Sequence, residues 1–244
     1  MSDEHYTYSV FTGHEIIEEQ LKACAVLFSA NYGAWSSEAP EHKYSLKEGF
    51  PVKMTPSKLR EQLSLCHGDD ILLCTCFVNG SLVGQAFATI WNYGDGVVCW
   101  ITQLVVSSDH RRKGIATNMI RLIRGTRSRI TAMGIASSHP AACMALTRST
   151  GVAMRDIDLS FMKSHAHQIF STTPVHYLKG SPLRGSLFNE RDESGAVACV
   201  DTQFFVDHTE PLEAQAEFEA KHGVKWPLGK LLEGHEFVVI VKVG

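Results

Sequence analysis

Between the apolar run VVCWITQLVV (97–106) and the apolar-periodic MIRLIR (119–124), the chain places SSDHRRKGIATN. Three chemistries suit Arg111, Arg112, Lys113, Gly114 and Ala116 at such a join. They are a solvated turn, a basic patch for nucleic acid or targeting, and a cradle for an anionic ligand. A strand running through a loop into a helix leaves several backbone N–H groups unpaired and exposes the positive end of the helix dipole. Gly114 lets the backbone approach a ligand closely, and Ala116 keeps the next turn low. The three basic side chains add formal charge around a site suited to phosphates. The pattern is neither GxxxxGK[ST] nor GxGxxG, and taken alone it has little specificity. A covered strand before it and an amphipathic helix after it favour the phosphate cradle.

Other chemistry-bearing residues carry less. Cys74 and Cys76 in ILLCTCFV share a strand face, but no second Cys or His pair with ligand spacing answers them. Reduced, buried thiols are the expectation. His165 and His167 make half a metal site that nothing completes, and no metal is expected. Cys143 falls in a helix-like segment, where a buried thiol is commoner than a nucleophile. Arg127 and Arg129 are separated from the first basic run by an apolar helix, which argues against a nuclear signal.

The positioning elements follow from periodicity. TYSVFT (7–12) reads as a strand, and 14–30 as a helix with Ile16, Ile17, Leu21, Cys24, Leu27 and Phe28 at helical spacing. Residues 31–53 are rich in turn formers. Thr55 and Pro56 open a helix over 55–65 as N-cap and first residue. Asn79-Gly80 joins two apolar strands as a hairpin. The run 97–106 is apolar on both faces except at Thr102 and Gln103, as in a covered central strand. Ile115, Met119, Ile120 and Ile123 form one helical stripe. A strand at 133–138, a helix at 139–151, a helix at 157–169, a strand at 196–207, a helix at 211–223 and a strand at 235–243 complete the reading.

The whole chain bounds the class. Its 244 residues make one large domain or two small ones, and 44% hydrophobic with 20% charged residues is ordinary for a soluble globular protein. A net charge of -3 argues against non-specific nucleic-acid binding. No stretch approaches the roughly 18 to 20 apolar residues of a membrane helix, so no membrane partner is expected. MSDEHYTYSVFTG lacks a basic segment followed by an apolar one, so no secretory signal is expected and a cytoplasmic address fits.

CWITQLVVSSDHRRKGIATNMIRLI resembles the acetyl-CoA-binding core of the GNAT superfamily of N-acetyltransferases. Arg111, Gly114 and Ala116 match its Arg/Gln-x-x-Gly-x-Gly/Ala signature. The resemblance implies an α/β (α+β) fold with a mixed, largely antiparallel sheet whose central parallel strands splay apart, flanked by helices. It implies one domain over 1–244, with a core at about 7–151 and a C-terminal arm over 152–244. Acetyl-CoA, or another acyl-CoA, would be the co-substrate. Its pyrophosphate would rest on the backbone of Arg112, Lys113, Gly114, Ile115, Ala116 and Thr117, with Arg111 assisting. Its pantetheine arm would run along Leu104, Val105 and Val106. Tyr32, Trp35 and Gln103 would fall near the acceptor, a small-molecule amine ahead of a protein or peptide. A non-catalytic CoA-binding or interaction module is the rival. The oligomeric state is left open, a dimer included.

The catalytic half departs from the family. Trp100 and Thr102 stand where many members carry a Glu or His, Thr147 stands in place of a Tyr, and Pro140 in place of an Asn. An alkyl ammonium with a pKa of about 10.4 needs roughly 4.6 kcal/mol to free its lone pair at pH 7. His139, just after MGIASS, is the nearest candidate base, and a helix cap is its plainer role. His208, and His235 with Glu236, are further candidates from the tail.

Overall fold

Asn79 and Gly80 both adopt the left-handed conformation, with φ of 50° and 78°, and close the hairpin between β2 (Ile71–Val78) and β3 (Ser81–Tyr93). The computed structural model describes residues 5–64 and 66–244. β1 (Thr7–Thr12) pairs with β2, and β4 (Gly96–Val106) with the far edge of β3. α4 (Ile115–Gly125) then carries the chain over to β5 (Ala132–Ser137), which lies parallel to β4. Three later strands, β6 (Leu183–Arg184), β7 (Cys199–Asp201) and β8 (His235–Lys242), complete the order β1-β2-β3-β4-β5-β8-β7-β6. All neighbours in this mixed sheet are antiparallel except β4 and β5.

Helices cover both faces. On one lie α1 (Glu18–Asn31) and α3 (Pro56–Leu63), whose Leu21, Cys24, Ala25 and Leu59 meet Ile71, Leu73 and Phe87. α6 (Leu159–Ser171) joins them, its Phe170 edge-on to Trp100 at 5.6 Å and its Ile169 carbonyl accepting from Trp91 Nε1. On the other lies α4, with Ile115, Met119, Ile120 and Ile123 all buried. Gly84 allows that approach, because a Cβ there would sit 2.9 Å from Ile115 Cγ2. α5 (Pro140–Ser149) packs beside α4, and α7 (Thr209–His222) against α5. A short α2 (Ala39–His42) interrupts the turn-rich 31–53 segment.

Several expectations shift. α1 starts at Glu18 rather than 14, because a Glu15 carboxylate oxygen accepts from the Thr12 amide and closes a turn, and Gln20 Oε1 then accepts from the Ile17 amide. Thr55 Oγ1 caps α3 by accepting from the Lys58 amide, but the helix closes at Leu63, and Leu65 of the expected 55–65 span lies outside the described residues. The expected strand at 196–207 pairs with β8 only over Cys199–Asp201. Gln203, at φ 56°, breaks the extended backbone, and Val206 instead bridges Trp35. β6 lies in sequence that reads as loop. Cys74 and Cys76 are buried and free, and burial pushes the Cys74 thiol up to about 12. Among the described residues no helix is long and apolar enough to cross a membrane.

Candidate active site

Phe87 stands opposite Gln103 and Ala88 opposite Ile101, so Thr102 is an extra residue bulged out of β4. The β4–β5 ladder starts at Val98↔Ala132 and stops at Ile101↔Ile135, one residue before that bulge. Past it, Leu104, Val105 and Val106 keep their β3 partners Ala86, Gln85 and Gly84, while no strand among the described residues pairs with their other edge. The two central strands therefore part towards their C-terminal ends. A slot opens between the second half of β4 and the Ser137–His139 turn.

The basic loop flanks this slot. Arg112 and Gly114 both take left-handed backbone, φ 63° and 78°, and no side chain caps α4. The amides of Ile115, Ala116 and Thr117 consequently face outward without helical partners. Beside them lies a recess of ≈ 600 Å³ lined by Arg112, Thr117, Arg121, Arg148 and Arg155, with Phe218 and His222 of α7 closing one side. Lys113 is exposed on the loop, and Ile115 turns its side chain into the core.

Arg111, expected to assist at the phosphates, makes three contacts within the fold. Its guanidinium donates to the Val106 carbonyl at 3.4 Å and the Asn31 carbonyl at 2.8 Å, and pairs with Glu210. It ties β4, α1 and α7 together rather than pointing along the loop. Arg112, 3.3 Å from Glu217, also meets an acid of α7.

The expected base is occupied. His139 is the N-cap of α5: its Nδ1 accepts from the Ala141 amide at 3.1 Å, and its Nε2 lies 3.4 Å from Glu210. With Nδ1 accepting, Nε2 carries the proton that faces Glu210, and no lone pair is left for a substrate. Burial holds its pKa below the usual histidine range, despite the opposing pull of Glu210. Thr147, buried, donates its hydroxyl to the Met144 carbonyl.

Tyr32 and Trp35 pin the α1–α2 connection to the arm. Tyr32 stacks on Phe28 at 4.2 Å and meets Phe204 edge-on, and Trp35 contacts the same Phe204 at 5.3 Å. Tyr32 is half-buried as a residue, but its hydroxyl end is enclosed, which lifts its pKa well above the ordinary range. Gln103 is buried, with Nε2 donating to Gln62 Oε1 at 2.5 Å and Oε1 unpaired among the described residues.

A second cavity, ≈ 480 Å³, opens on the α1/α3 face. Met54 and Gln62 form one wall, Phe87, Thr89 and Thr102 the floor, and Tyr177 part of the opposite wall. Trp100 fills one of the strand positions at which the resemblance implies a Glu or His. It is fully buried, a Cβ on its cross-strand partner Gly134 would overlap its ring, and its Nε1 donates to Tyr177 Oη at 3.3 Å. No local pattern in the sequence marks Tyr177. The signal for Glu236 was present: a single carboxylate opening the apolar run FVVIV of a covered strand.

The parallel centre of the sheet opens beside an uncapped helix N-terminus, an arrangement suited to an anionic ligand. Residues 33–135, which span α2 through most of β5, match the Acetyltransferase (GNAT) family model, so the chain carries a segment of that family there. No curated protein matches the sequence. Among solved structures, the chain is similar to the PaiA N-acetyltransferase of Thermoplasma acidophilum in complex with coenzyme A, at 16% identity over 55% of this chain and 80% of that one, TM-score 0.39. It is also similar to the ribosomal-protein-S18-alanine N-acetyltransferase of Escherichia coli, at 17% identity over 59% and 77%, TM-score 0.38. A third is an aminoglycoside acetyltransferase from an uncultured soil metagenomic sample in complex with sisomicin, at 13% identity over 53% and 76%, TM-score 0.36. Likeness at this level says nothing of what this chain acts on.

Proposed function

We propose that the protein is an acetyl-CoA-dependent N-acetyltransferase that transfers the acyl group directly, in a ternary complex, to a small-molecule amine. The observation that carries this reading is the parting of β4 from β5 at the Thr102 bulge. We read it as linking an arginine-lined recess beside α4 with a separate cavity on the opposite face of the sheet. In this reading the recess and the amides of 112–117 take the phosphates, and the free edge of Leu104–Val106 pairs with the pantetheine. The thioester then lies near Thr102 and Gln103. A cavity of ≈ 480 Å³ with a mostly apolar lining has the size and character of a small-ligand site, which supports a compact acceptor over a folded protein. We also read the arm as part of the same domain, because β8 completes the sheet against β5.

Acetyl-CoA at a hundredfold excess over its Kd should stabilise the native state by about 2.7 kcal/mol, a rise of roughly 5 to 11 °C in melting temperature. Gly114→Asp should remove that rise without unfolding the protein. A Cβ there meets nothing within 4 Å, so the cost to the fold is limited to the left-handed backbone at φ 78°, whereas the new carboxylate would face the phosphates. No melting shift and no calorimetric binding of acetyl-CoA to the unaltered protein would overturn the reading.

A further inference from the structure

Glu236 is the first β8 residue beyond the β5 ladder, whose last rung is Ser137↔Phe237. It therefore stands at the end of the sheet where β4 and β5 have separated. Cross-strand partners share a face, and alternate residues of a strand return to it. Trp100 pairs with Gly134 and Gly134 with Ile240, so Ile240, Val238 and Glu236 lie on the Trp100 face. Thr89, on the cavity floor, pairs with Trp100 and belongs to that face as well. Glu236 is only 5% exposed.

Among the described residues Glu236 forms no ion pair. Tyr32 of α1, Cys143 of α5 and Tyr177 of the segment after α6 are the titratable groups that its charge bears on, and each is pushed upward and stays neutral near pH 7. The Thr202 hydroxyl makes no fully formed hydrogen bond, yet it is the polar atom that draws the Glu236 pKa back down. Desolvation dominates, and the carboxyl titrates at about 7. Tyr177 is the residue that both lines the cavity and lies within electrostatic reach of Glu236.

We propose that Glu236 is the proton acceptor for the incoming amine, lodged on the cavity face of the sheet at the mouth of the β4–β5 opening. The proposal rests on the acyltransfer reading above. The ammonium gives one proton to the Glu236 carboxylate and becomes a free amine. Its lone pair attacks the thioester carbonyl carbon, the C–N bond forms, and the C–S bond breaks with its electron pair leaving on sulfur. The second nitrogen proton passes to that sulfur, giving the free thiol, and Glu236 releases its proton to solvent. The arm thus supplies a group that the strand positions of Trp100 and Thr102 lack.

The test compares two acceptors on the full chain: an alkylamine, whose own pKa of about 10.4 lies well outside the range scanned, and an aromatic amine already neutral at pH 7. With the unaltered protein, kcat/KM for the alkylamine should fall on the acid side of about 7, and the aromatic amine should show no such limb. Glu236→Gln should lower alkylamine transfer by about 10²- to 10⁴-fold and abolish the limb. It should leave aromatic-amine transfer within a few-fold and the acetyl-CoA melting shift intact. Equal losses on both amines, or a limb that persists in the variant, would overturn the assignment. The limb in the unaltered protein stands as a separate check: its absence overturns the assignment whether or not the variant folds. Acetyl-CoA binding with no transfer to any amine would remove the acyltransfer reading and Glu236's role together. Active transfer with an unchanged profile would remove Glu236 alone.

Discussion

A carboxyl held at about 7 in a folded protein, against an ordinary 4.5, has a definite thermodynamic sign. Between those two pH values the native state binds a proton that the unfolded chain has already lost, so Glu236 costs stability as the pH rises through 7. The cost is fully present above pH 7 and disappears below 4.5. Glu236→Gln should accordingly stabilise the protein at pH 8 by on the order of 3 kcal/mol and have little effect at pH 4. Urea denaturation at the two pH values measures it. A variant less stable than the parent at pH 8 would show that the carboxylate is better solvated than its 5% exposure implies. A group retained at a stability penalty is the pattern expected where activity and stability compete.

At the scale of elements, α5 is the informative case. Its N-cap is an imidazole rather than the usual Ser, Thr or Asp, and Nδ1 can accept from Ala141 only while it is unprotonated. With the folded pKa lowered and the unfolded value near 6.5, stability present above that pH is lost as the pH falls through it. His139→Asn keeps a capping acceptor and removes the titration, so the urea midpoint should lose part of its decline as the pH falls below about 6.5. Acyl transfer by this variant should match the parent, since the ring has no free lone pair to offer.

Such local features decide what a sequence can disclose. The hairpin at Asn79-Gly80, the Thr55-Pro56 start of α3 and the stripe on α4 were legible because each rests on chemistry within a few residues. The loop 111–117 was legible for the same reason, its glycine and its uncapped helix being neighbours. The bulge at Thr102 depends on register against β3, and the Arg111 tie to Asn31 and Glu210 spans three elements, so neither leaves a local trace. Tyr177 reaches the cavity, and Glu236 the same face of the sheet, from an arm whose pairing with β5 no short-range pattern announces.

For the molecule as a whole, the weight falls on that arm. β8 pairs with β5 from Ala132 to Ser137 and buries Val238, Val239 and Ile240 completely. A chain ending at residue 151 would keep β4, the loop and α4, yet leave β5 as an open apolar edge. We expect it to aggregate and to show no cooperative melt, while the full chain melts cooperatively; differential scanning fluorimetry and sedimentation distinguish these outcomes. A soluble fragment that still binds acetyl-CoA would instead make the arm an accessory to acceptor recognition alone.

The β5–β8 rung between Ser137 and Phe237 also sets a clock. At a synthesis rate of roughly 5 to 20 residues per second, the edge of β5 leaves the ribosome about 5 to 20 seconds before its partner exists. Throughout that interval an unsatisfied strand edge flanked by Met133 and Ile135 is available to any other chain. Closure by so distant a segment is a high-contact-order step that comes late in folding. The strand that completes the cleft is therefore also the one the nascent protein waits for longest.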